Sequence, residues 1–514
     1  MDTNGYRTEI DYNYGYFREQ SPLAFRFACL LQGVKPPEIR NACELGYGNG
    51  MNININASAS NIQWYGTDFN VSQANFASDL ANISGNNAKL FSDSFEEFFH
   101  RTDLPDFDFI CFHGVYSWVN EKNRDLILKF VDKKLRAGGA VYASYNVFPG
   151  FANLIPFRGF LKNVANYMVP KTKNPVSGIG IGFELFDKLS SLNANFIANN
   201  PRLKGKVEQF KKMSGAYLIH EFMNDSWDIM DFLKISESFK SARLKFLSSA
   251  NIFSILQNTI IFTPEQNALL NSIEDIYFKE YLKDLIHNTS FRKDYWLKGA
   301  QRLSVEECQK RLKEIRVILT VPKDEVNFSI ELDIGKLDLK KEVYEPLLDI
   351  LGDHTPKTIG QIEQELKGKF DELQGGGLIE SLMVLNMLNI LREVQDDKII
   401  QSCLQKTYAI NKEILQKAKI SNNISYLASA AIGEGIEVAH FEQLFLSNYS
   451  NQISDHKEYA KIIWKILDSQ GNRIIKDGKT LQTAEENLKE LEELCKNIKK
   501  RLPIYKNLKI LEGI

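Results

Sequence analysis

A glycine-rich motif that opens with an acid, ELGYGNG at residues 44–50, follows a short apolar run early in the chain. Glycines in such a turn let the backbone bend tightly and approach a ligand where a Cβ atom would clash. A dinucleotide-binding fingerprint would need its third glycine at Met51, where it is missing. The motif by itself therefore predicts either a cofactor loop or an ordinary strand-to-helix turn. Its candidate ligand contacts are Glu44, Gly46, Tyr47, Gly48 and Gly50.

Two aspartates, Asp68 in WYGTDF and Asp93 in FSDSF, fall at the ends of the next two apolar runs. Asp68 is placed to accept hydrogen bonds from both hydroxyls of a ribose. S-adenosylmethionine (SAM) carries an amino-acid group instead of a pyrophosphate, and its cationic amine and sulfonium suit the acid that opens the glycine motif. This combination predicts SAM as the cofactor. Asp93 could accept from the adenine amine, with Phe69 or Phe95 near the ring and Ser94 beside it, or it could instead cap the short helix FEEFF.

Aromatic and polar side chains cluster after the fourth and fifth apolar runs, in HGVYSWV and SYNVFPG. In open α/β sheets, ligands bind outside the carboxyl ends of the strands, so these side chains are placed to meet a methyl acceptor. His113 could accept a proton or contact the cofactor, although a histidine satisfied by the backbone is the plainer interpretation. The candidate catalytic residues are His113, Tyr116, Trp118, Tyr145 and Asn146.

Four aromatic residues, Tyr12, Tyr14, Tyr16 and Phe17, precede the first apolar run. A segment in that position can fold over the cofactor as a lid, and aromatic faces attract a cationic sulfonium or ammonium. Tyr14 is therefore a further candidate cofactor contact. The alternative is an N-terminal segment that simply packs on the core.

Strand-like and helix-like segments alternate through the first 150 residues. Such alternation predicts a Rossmann-like α/β fold, in which helices cover both faces of a parallel sheet. One helix is expected to begin after Asn120 and to end at Gly138 and Gly139. The segment MNININA alternates like a strand, but the topology requires a helix at that point, and we predict a helix.

The remainder of the chain is predicted to be mainly helical. The segment GIGIGFELF is typical of a hinge or loop and LKFLSSANI of a strand, and the helices and turns of residues 340–394 suggest a winged-helix-like module. We expect a SAM-binding Rossmann-like core (1–165), a helical insertion that completes the core and is a candidate regulatory or dimerisation region (166–250), a middle domain (251–339), the winged-helix-like module (340–400) and a C-terminal helical domain (401–514).

The charge of the chain is nearly balanced, with 63 Lys and Arg against 65 Asp and Glu. A dedicated nucleic-acid-binding protein would normally show a basic excess, so we do not expect a nucleic-acid partner. The six cysteines are widely spaced, and His220-Glu221 lacks the second histidine of a zincin motif, so no metal is expected. The N-terminus has no apolar signal region, and the uncharged stretches are rich in Asn, Ser, Gly or Pro. These features predict a cytoplasmic protein without a membrane span.

Nine segments spread over nearly the whole chain carry a family resemblance: YNYGYFREQSP, ELGYGNGMN, WYGTDFN, FDFICFHGVYSWV, SYNVFPGF, YLIHEFMNDSW, FRKDYWLKG, ASAAIGEGIEVAHFEQLF and RLPIYKNLKIL. In these segments the chain resembles bacterial class I SAM-dependent methyltransferases with a methyltransferase regulatory domain, a group that includes the outer-membrane-protein lysine methyltransferases. The resemblance implies SAM at Gly46, Gly48, Gly50 and Asp68, a regulatory or dimerisation region, and a wide cleft suited to a protein substrate. Tyr47 departs from the small residue or Cys that is common at its position, which implies a narrower pocket.

Three functions remain open at this point. The leading hypothesis is methylation of lysine side chains in a bacterial surface or outer-membrane protein by a homodimeric enzyme. The lysine amine would lose its proton and then displace S-adenosylhomocysteine (SAH) from SAM in line. The second is methylation of a small molecule or a sugar oxygen, which needs a base and would give His113 greater weight. The third is a SAM-binding scaffold without turnover, whose winged-helix-like module binds a partner.

Overall fold

A seven-stranded sheet lies at the centre of the protein, whose computed structural model describes residues 14–170, 175–213, 215–251, 261–332, 335–370, 373–449, 455–476 and 478–513. Its strands are β1 (Asn41–Leu45), β2 (Gln63–Thr67), β3 (Lys89–Phe91), β4 (Phe107–Phe112), β5 (Leu135–Asn146), β6 (Lys245–Ser249) and β7 (Phe291–Leu297). They stand in the order β3-β2-β1-β4-β5-β7-β6. The first five are parallel, and β7 runs antiparallel to both β5 and β6. The predicted Rossmann-like architecture is confirmed.

Helices cover both faces of this sheet. They are α1 (Pro22–Leu31), α2 (Met51–Ala59), α3 (Val71–Ser84), α4 (Phe95–His100) and α5 (Glu121–Lys134). Because side chains alternate along a strand, β4 contributes to two cores. Ile110 and Phe112 pack with residues of α4 and α5, whereas Phe109 and Cys111 pack with residues of α1, α2 and α3.

The segment MNININA forms part of α2, as the topology predicted. All nine residues of α2 are buried, so the alternating pattern does not mark a solvent-facing strand. Each of the three buried asparagines has a hydrogen-bond partner. Asn52 Nδ2 donates to Glu44 at 3.1 Å, Asn54 Nδ2 to the carbonyl of Ala77 at 3.0 Å, and Asn56 Oδ1 accepts from the Tyr16 hydroxyl at 3.0 Å. Within the described residues, Asn56 Nδ2 has no such partner. The bonds that are made reduce the cost of burying these polar side chains.

The predicted end of the fifth helix was wrong. Asn120 caps α5 as expected, but α5 ends at Lys134, and β5 begins at Leu135, so Gly138 and Gly139 lie inside the strand. The reason is close backbone packing of β5 against its neighbouring strands β4 and β7. The N–H of Gly138 donates to the carbonyl of Lys298 at 2.7 Å, and a Cβ atom on Gly139 would lie 3.0 Å from the carbonyl of Asp108.

A helical insertion follows β5, and two more helices separate β6 from β7. The helices are α6 (Leu154–Met168), α7 (Pro175–Ser191), α8 (Asn195–Ala198), α9 (Pro201–Phe210), α10 (Gly215–Phe222), α11 (Phe232–Lys240), α12 (Pro264–Asn271) and α13 (Ile276–His287). The expectation of a hinge or loop in GIGIGFELF was wrong, because these residues belong to α7. Its glycines allow α7 to approach α6 closely: a Cβ atom on Gly182 would lie 2.4 Å from Leu161 Cδ2.

Residues 305–394 form a three-stranded sheet, a two-stranded sheet made of β9 and β10, and the helices around them. The elements are α14 (Val305–Glu314), β8 (Arg316–Leu319), β9 (Ser329–Leu332), β10 (Gly335–Asp338), α15 (Lys341–Leu351), β11 (Lys357–Thr358), α16 (Ile359–Leu366), α17 (Gly376–Met387) and β12 (Leu391–Val394). Strand β8 lies between β11 and β12, antiparallel to both. Helices and turns occur within residues 340–394, as the sequence predicted, and the winged-helix character stays a prediction.

The C-terminal region packs on α2 and α3, two of the helices that cover the sheet. It contains α18 (Asp397–Ala418), β13 (Tyr426–Ser429), β14 (Glu434–Glu437), α19 (His440–Ser447), α20 (His456–Ser469), β15 (Ile475–Lys476), β16 (Lys479–Thr480) and α21 (Ala484–Asn507). Lys406 Nζ on α18 donates to the carbonyls of Ala57 and Ser60 at the end of α2, and Thr407 Oγ1 donates to that of Ser58. Among the described residues, no helix is long and apolar enough to cross a membrane.

Candidate active site

A cavity opens at the carboxyl ends of β1, β2 and β4, the edge at which the sequence places its candidate residues. The predicted site residues that line it are Glu44, Gly46, Tyr47, Gly48, Asp68, Phe69, Asp93, Ser94, His113 and Trp118. Ten residues that were chosen from different parts of the sequence therefore meet at one site. The N-terminal segment and α10 complete the walls through Gly15, Phe17 and Tyr217.

The glycine turn adopts a backbone that side chains would obstruct. Gly46, Gly48 and Gly50 have φ values of +71°, +59° and +73°, in the left-handed region that favours glycine. A Cβ atom on Gly46 would lie 2.7 Å from Val115 Cγ2, and one on Gly50 would lie 2.4 Å from the Cβ atom of Ala77. Gly50 is the residue before α2 and lies behind the cavity, so its part is to let α2 and α3 approach each other.

Glu44 is a buried carboxylate and Asp68 a half-buried one, and neutral donors hold both. Glu44 accepts from the Asn52 side chain, and burial raises its pKa to about 8, with the nearby Asp68 adding to the rise. Asp68 accepts the N–H groups of Gly48 at 2.9 Å and Asn70 at 3.0 Å. Burial raises the pKa of Asp68 to about 6, against the lowering effect of these two bonds. A cationic ligand would offset the cost of keeping both groups charged.

Asp93 is not the cap of α4, which corrects the alternative interpretation of that residue. Ser94 caps the helix and forms a reciprocal capping box with Glu97. Asp93 instead forms an ion pair with Arg101 at 2.8 Å, and the Arg101 guanidinium lies 3.9 Å from the centre of the Phe91 ring. Asp93 thus lies on the cavity wall, and Arg101, which does not line the cavity, neutralises its charge.

Tyr47 of the glycine turn also lines the cavity. Its hydroxyl donates to the carbonyl of Phe91 at the end of β3, over 2.8 Å. The side chain is buried, and its hydrogen bond links the glycine turn to β3. The expectation that Tyr47 narrows the pocket stays a prediction.

His113 directly follows β4 and lines the cavity. Its ring stacks on Phe17 with 3.6 Å between the ring centres, and its Nδ1 lies 2.8 Å from the Tyr142 hydroxyl. Burial lowers the pKa of His113 to about 3, so the imidazole is neutral at ordinary pH. The N-terminal segment therefore does cover one end of the cavity through Phe17. Tyr14 lies outside the wall, with its ring edge against Phe76 at 5.3 Å, and Tyr12 lies outside the described residues.

Three of the predicted catalytic residues lie in the core and not on the cavity wall. Tyr116 is buried against Phe239, with 5.3 Å between ring centres. The Tyr145 hydroxyl donates to the buried carboxylate of Asp294. Asn146 is buried, and its N–H donates to Ser117 Oγ at 2.9 Å. Their burial does not favour contact with the transferred methyl group. The catalytic role of these three residues stays a prediction.

One wall of the cavity comes from residues that the sequence did not single out for this purpose. Tyr217, His220 and Glu221 of α10, with Asn224 just beyond it, line the same cavity as the residues at the strand ends. Their spacing of three and four residues places them on one face of the helix. The segment YLIHEFMN carried a family resemblance, but only His220-Glu221 was considered chemically, as a metal motif. The i, i+3, i+4 spacing of its polar residues was the signal that could have found them.

Comparisons with known proteins agree with this architecture. Residues 214–298 match a family model described as a predicted methyltransferase regulatory domain. That region contains α10, β6 and β7. It therefore supplies both the α10 residues that line the cavity and two strands of the central sheet.

Relatives extend over the whole chain. The uncharacterized protein sll1526 of Synechocystis sp. (strain ATCC 27184 / PCC 6803 / Kazusa) is 32% identical over 512 residues, which is 98% of this chain and 99% of the relative. The uncharacterized protein RP789 of Rickettsia prowazekii (strain Madrid E) is 22% identical, covering 96% of this chain and 91% of the relative. The structure of PKMT2 from Rickettsia typhi in complex with AdoHcy superposes with a TM-score of 0.72 and 17% identity, covering 97% of this chain and 100% of that chain.

The sheet order, the glycine turn and the regulatory segment together define a class I SAM-dependent methyltransferase. The chain belongs to the same family as sll1526, to which it is similar over nearly its full length, and it carries a methyltransferase regulatory domain at residues 214–298.

Proposed function

We propose that the cavity binds SAM and that the enzyme methylates lysine side chains of a protein, with a bacterial surface or outer-membrane protein as the substrate class. The observation that carries the proposal is a pair of carboxylates, Glu44 buried and Asp68 half-buried, which neutral donors hold beside the glycine turn. Asp68 would accept from the ribose hydroxyls, and Glu44 would face the cationic amino-acid end of SAM.

The name of the structurally similar PKMT2 stands for a protein lysine methyltransferase, and its structure contains AdoHcy. That protein and its bound AdoHcy support the same acceptor class and the same cofactor for this chain. The shared architecture also covers the regions beyond the central sheet, because the superposition includes nearly all of both chains.

His113 is not the base that a hydroxyl acceptor would need. Hydroxyl transfer needs a base whose pKa lies near the working pH. His113 was the candidate for that base, but burial lowers its pKa to about 3 and its Nδ1 is engaged by Tyr142. A lysine amine, once neutral, attacks the methyl carbon directly. The C–S bond breaks, its electron pair stays on sulfur as SAH forms, and the nitrogen becomes a methylammonium.

Calorimetric titration with SAM and SAH tests the cofactor, and Gly48→Arg is the control because the larger residue would obstruct the turn at a left-handed φ. Methyl transfer is then followed with methyl-labelled SAM on unfolded fragments of bacterial outer-membrane proteins, and the modified residue is located by mass spectrometry. Label on lysine nitrogen supports the proposal. Label on hydroxyls or only on small molecules would favour the second hypothesis, and saturable SAM binding without any transfer would favour the scaffold.

A further inference from the structure

Helix α10 presents two chemically different faces. Its polar residues, together with Asn224, line the cavity, as described above. Its apolar residues Leu218, Ile219 and Phe222 belong to the core of the helical insertion, where the Phe222 ring packs edge-on against Phe157 and Phe210. The apolar face therefore fixes the orientation of α10 and holds the polar face toward the cavity.

Glu221 is the acidic residue on that polar face. It is half-buried, and its carboxylate accepts a hydrogen bond from the Tyr217 hydroxyl, a neutral donor. Burial raises the pKa of Glu221 to about 7, although Tyr217, Arg158 and Lys206 act in the opposite direction. The nearby Asp225 differs, because its exposed carboxylate forms an ion pair with Lys162 Nζ at 3.0 Å.

The other carboxylates of the cavity already have structural partners at the cofactor end. Asp68 holds the glycine turn through the N–H of Gly48, and Glu44 holds Asn52 of α2. Asp93 is paired with Arg101, and Glu96 is paired with Lys122 at 2.7 Å. Glu221 lines the same cavity but belongs to α10, in the regulatory segment, and not to the loops that follow the strands of the sheet.

We propose that Glu221 is a catalytic residue that binds the ammonium group of the acceptor and removes one proton from it before methyl transfer. The proposal rests on the proposed function, since only an amine acceptor arrives as an ammonium. The proton moves from the acceptor nitrogen to a Glu221 carboxylate oxygen, which leaves a neutral amine and a carboxylic acid. The amine then attacks the methyl group of SAM, and Glu221 returns its proton to solvent after SAH and the methylated product have formed.

The charge balance of the cavity fits this sequence of steps. An ammonium approaching SAM meets a second cation, the sulfonium, and like charges repel each other strongly in a site of low dielectric. A carboxylate on the acceptor side offsets that repulsion during binding, and the proton transfer then removes the positive charge from the attacking nitrogen. A base whose pKa lies close to the working pH can both accept and release the proton.

The test compares Glu221→Gln with Asp225→Asn, which removes a negative charge close by but outside the cavity. For Glu221→Gln we expect an unchanged SAH affinity and a kcat at pH 7.5 that falls by about 10²- to 10⁴-fold, the usual contribution of a general base. The defect should shrink as the pH rises toward 10, because the free amine then forms without a base. Asp225→Asn should keep the wild-type pH profile. A defect that is constant with pH, a tenfold loss of SAH affinity, or an equal effect of Asp225→Asn would overturn the proposal.

A binding measurement decides the question independently of any protein substrate. The complex of the wild-type enzyme with SAH is titrated with n-butylamine, which at pH 8 is an analogue of the lysine ammonium. We expect saturable binding that Glu221→Gln abolishes and Asp225→Asn retains. Equal binding by all three proteins, or none by the wild type, contradicts the role of Glu221. The SAM titration described above reports separately on whether the cofactor assignment itself fails.

Discussion

Replacing Asp68 with asparagine should weaken SAM and SAH binding by roughly 10²- to 10⁴-fold. Asp68 lies at the end of β2 with both oxygens directed to hydrogen-bond donors, and a ribose would add two hydroxyl donors to the same carboxylate. Hydrogen bonds to a charged group contribute about 1.5–3 kcal/mol each. Two such bonds give about 3–6 kcal/mol, and each 1.4 kcal/mol is about tenfold in affinity.

The same substitution should also loosen the glycine turn. An aspartate accepts from Gly48 on one oxygen and from Asn70 on the other, whereas an asparagine has only one acceptor oxygen. One backbone N–H would then face an amide NH₂ group, at a cost of about 1–3 kcal/mol in the free energy of unfolding. Part of that cost is offset, because the variant no longer buries a charge.

Calorimetry with SAH and a thermal melt of each unliganded protein separate the two effects. Asp79→Asn is the matched control, because Asp79 is exposed on the neighbouring helix α3. We expect Asp79→Asn to match the wild type in both measurements. An affinity of Asp68→Asn within threefold of the wild type, at comparable stability, would refute the placement of the ribose at Asp68.

Two further predictions concern pH and the glycine turn. Because the folded, unliganded protein raises the pKa of Glu44 to about 8, ionising it for a cationic ligand releases a proton. SAM affinity should therefore rise by up to about tenfold per pH unit below pH 8 and level off above it. Calorimetry in buffers of different ionisation enthalpy should detect this proton, and a flat profile from pH 6 to 8 would contradict the role of Glu44. The same raised pKa stabilises the unliganded fold at low pH, and this stability is lost as the pH rises toward 8. Gly50→Ala should cost about 2–5 kcal/mol of stability, from a left-handed φ and a contact with Ala77, whereas Gly85→Ala, at φ +63° in open space, should cost only about 1–2 kcal/mol in chemical denaturation. Equal costs would show that the contact with Ala77 is relieved by movement.

The sequence was most informative where a residue type has few alternatives. The glycine motif, Asp68 and the alternation of segments were sufficient to predict the sheet and the edge at which its cavity opens. The helix in MNININA could be predicted only from topology, because its asparagines are satisfied by partners from distant segments such as Tyr16 and Ala77. Periodicity describes a half-exposed element, and α2 has no exposed face.

Local patterns could not predict packing between segments. The glycines of α7 indicate a loop locally but serve a close contact with the preceding helix α6, as Gly182 and Leu161 show. The antiparallel strand β7, at residues 291–297, belongs to the central sheet, and the domain boundary expected at residue 251 stays a prediction. Tyr145 lies near the end of β5, as expected, but its hydroxyl bonds to Asp294 of β7, and its role beside the transferred methyl stays a prediction.

The complete burial of α2 bears on how the protein can be divided. The helix that follows the glycine turn rests on α18 and is tied to the C-terminal region by Lys406 and Thr407, and Gln395 Nε2 donates to the carbonyl of Ala59 at 2.7 Å. A truncation that ended before residue 395 would expose isoleucines and asparagines of α2 that are buried in the full chain. We therefore expect the cofactor site and the C-terminal region to unfold together as one cooperative unit, and a truncated sheet to fail as an independent minimal enzyme.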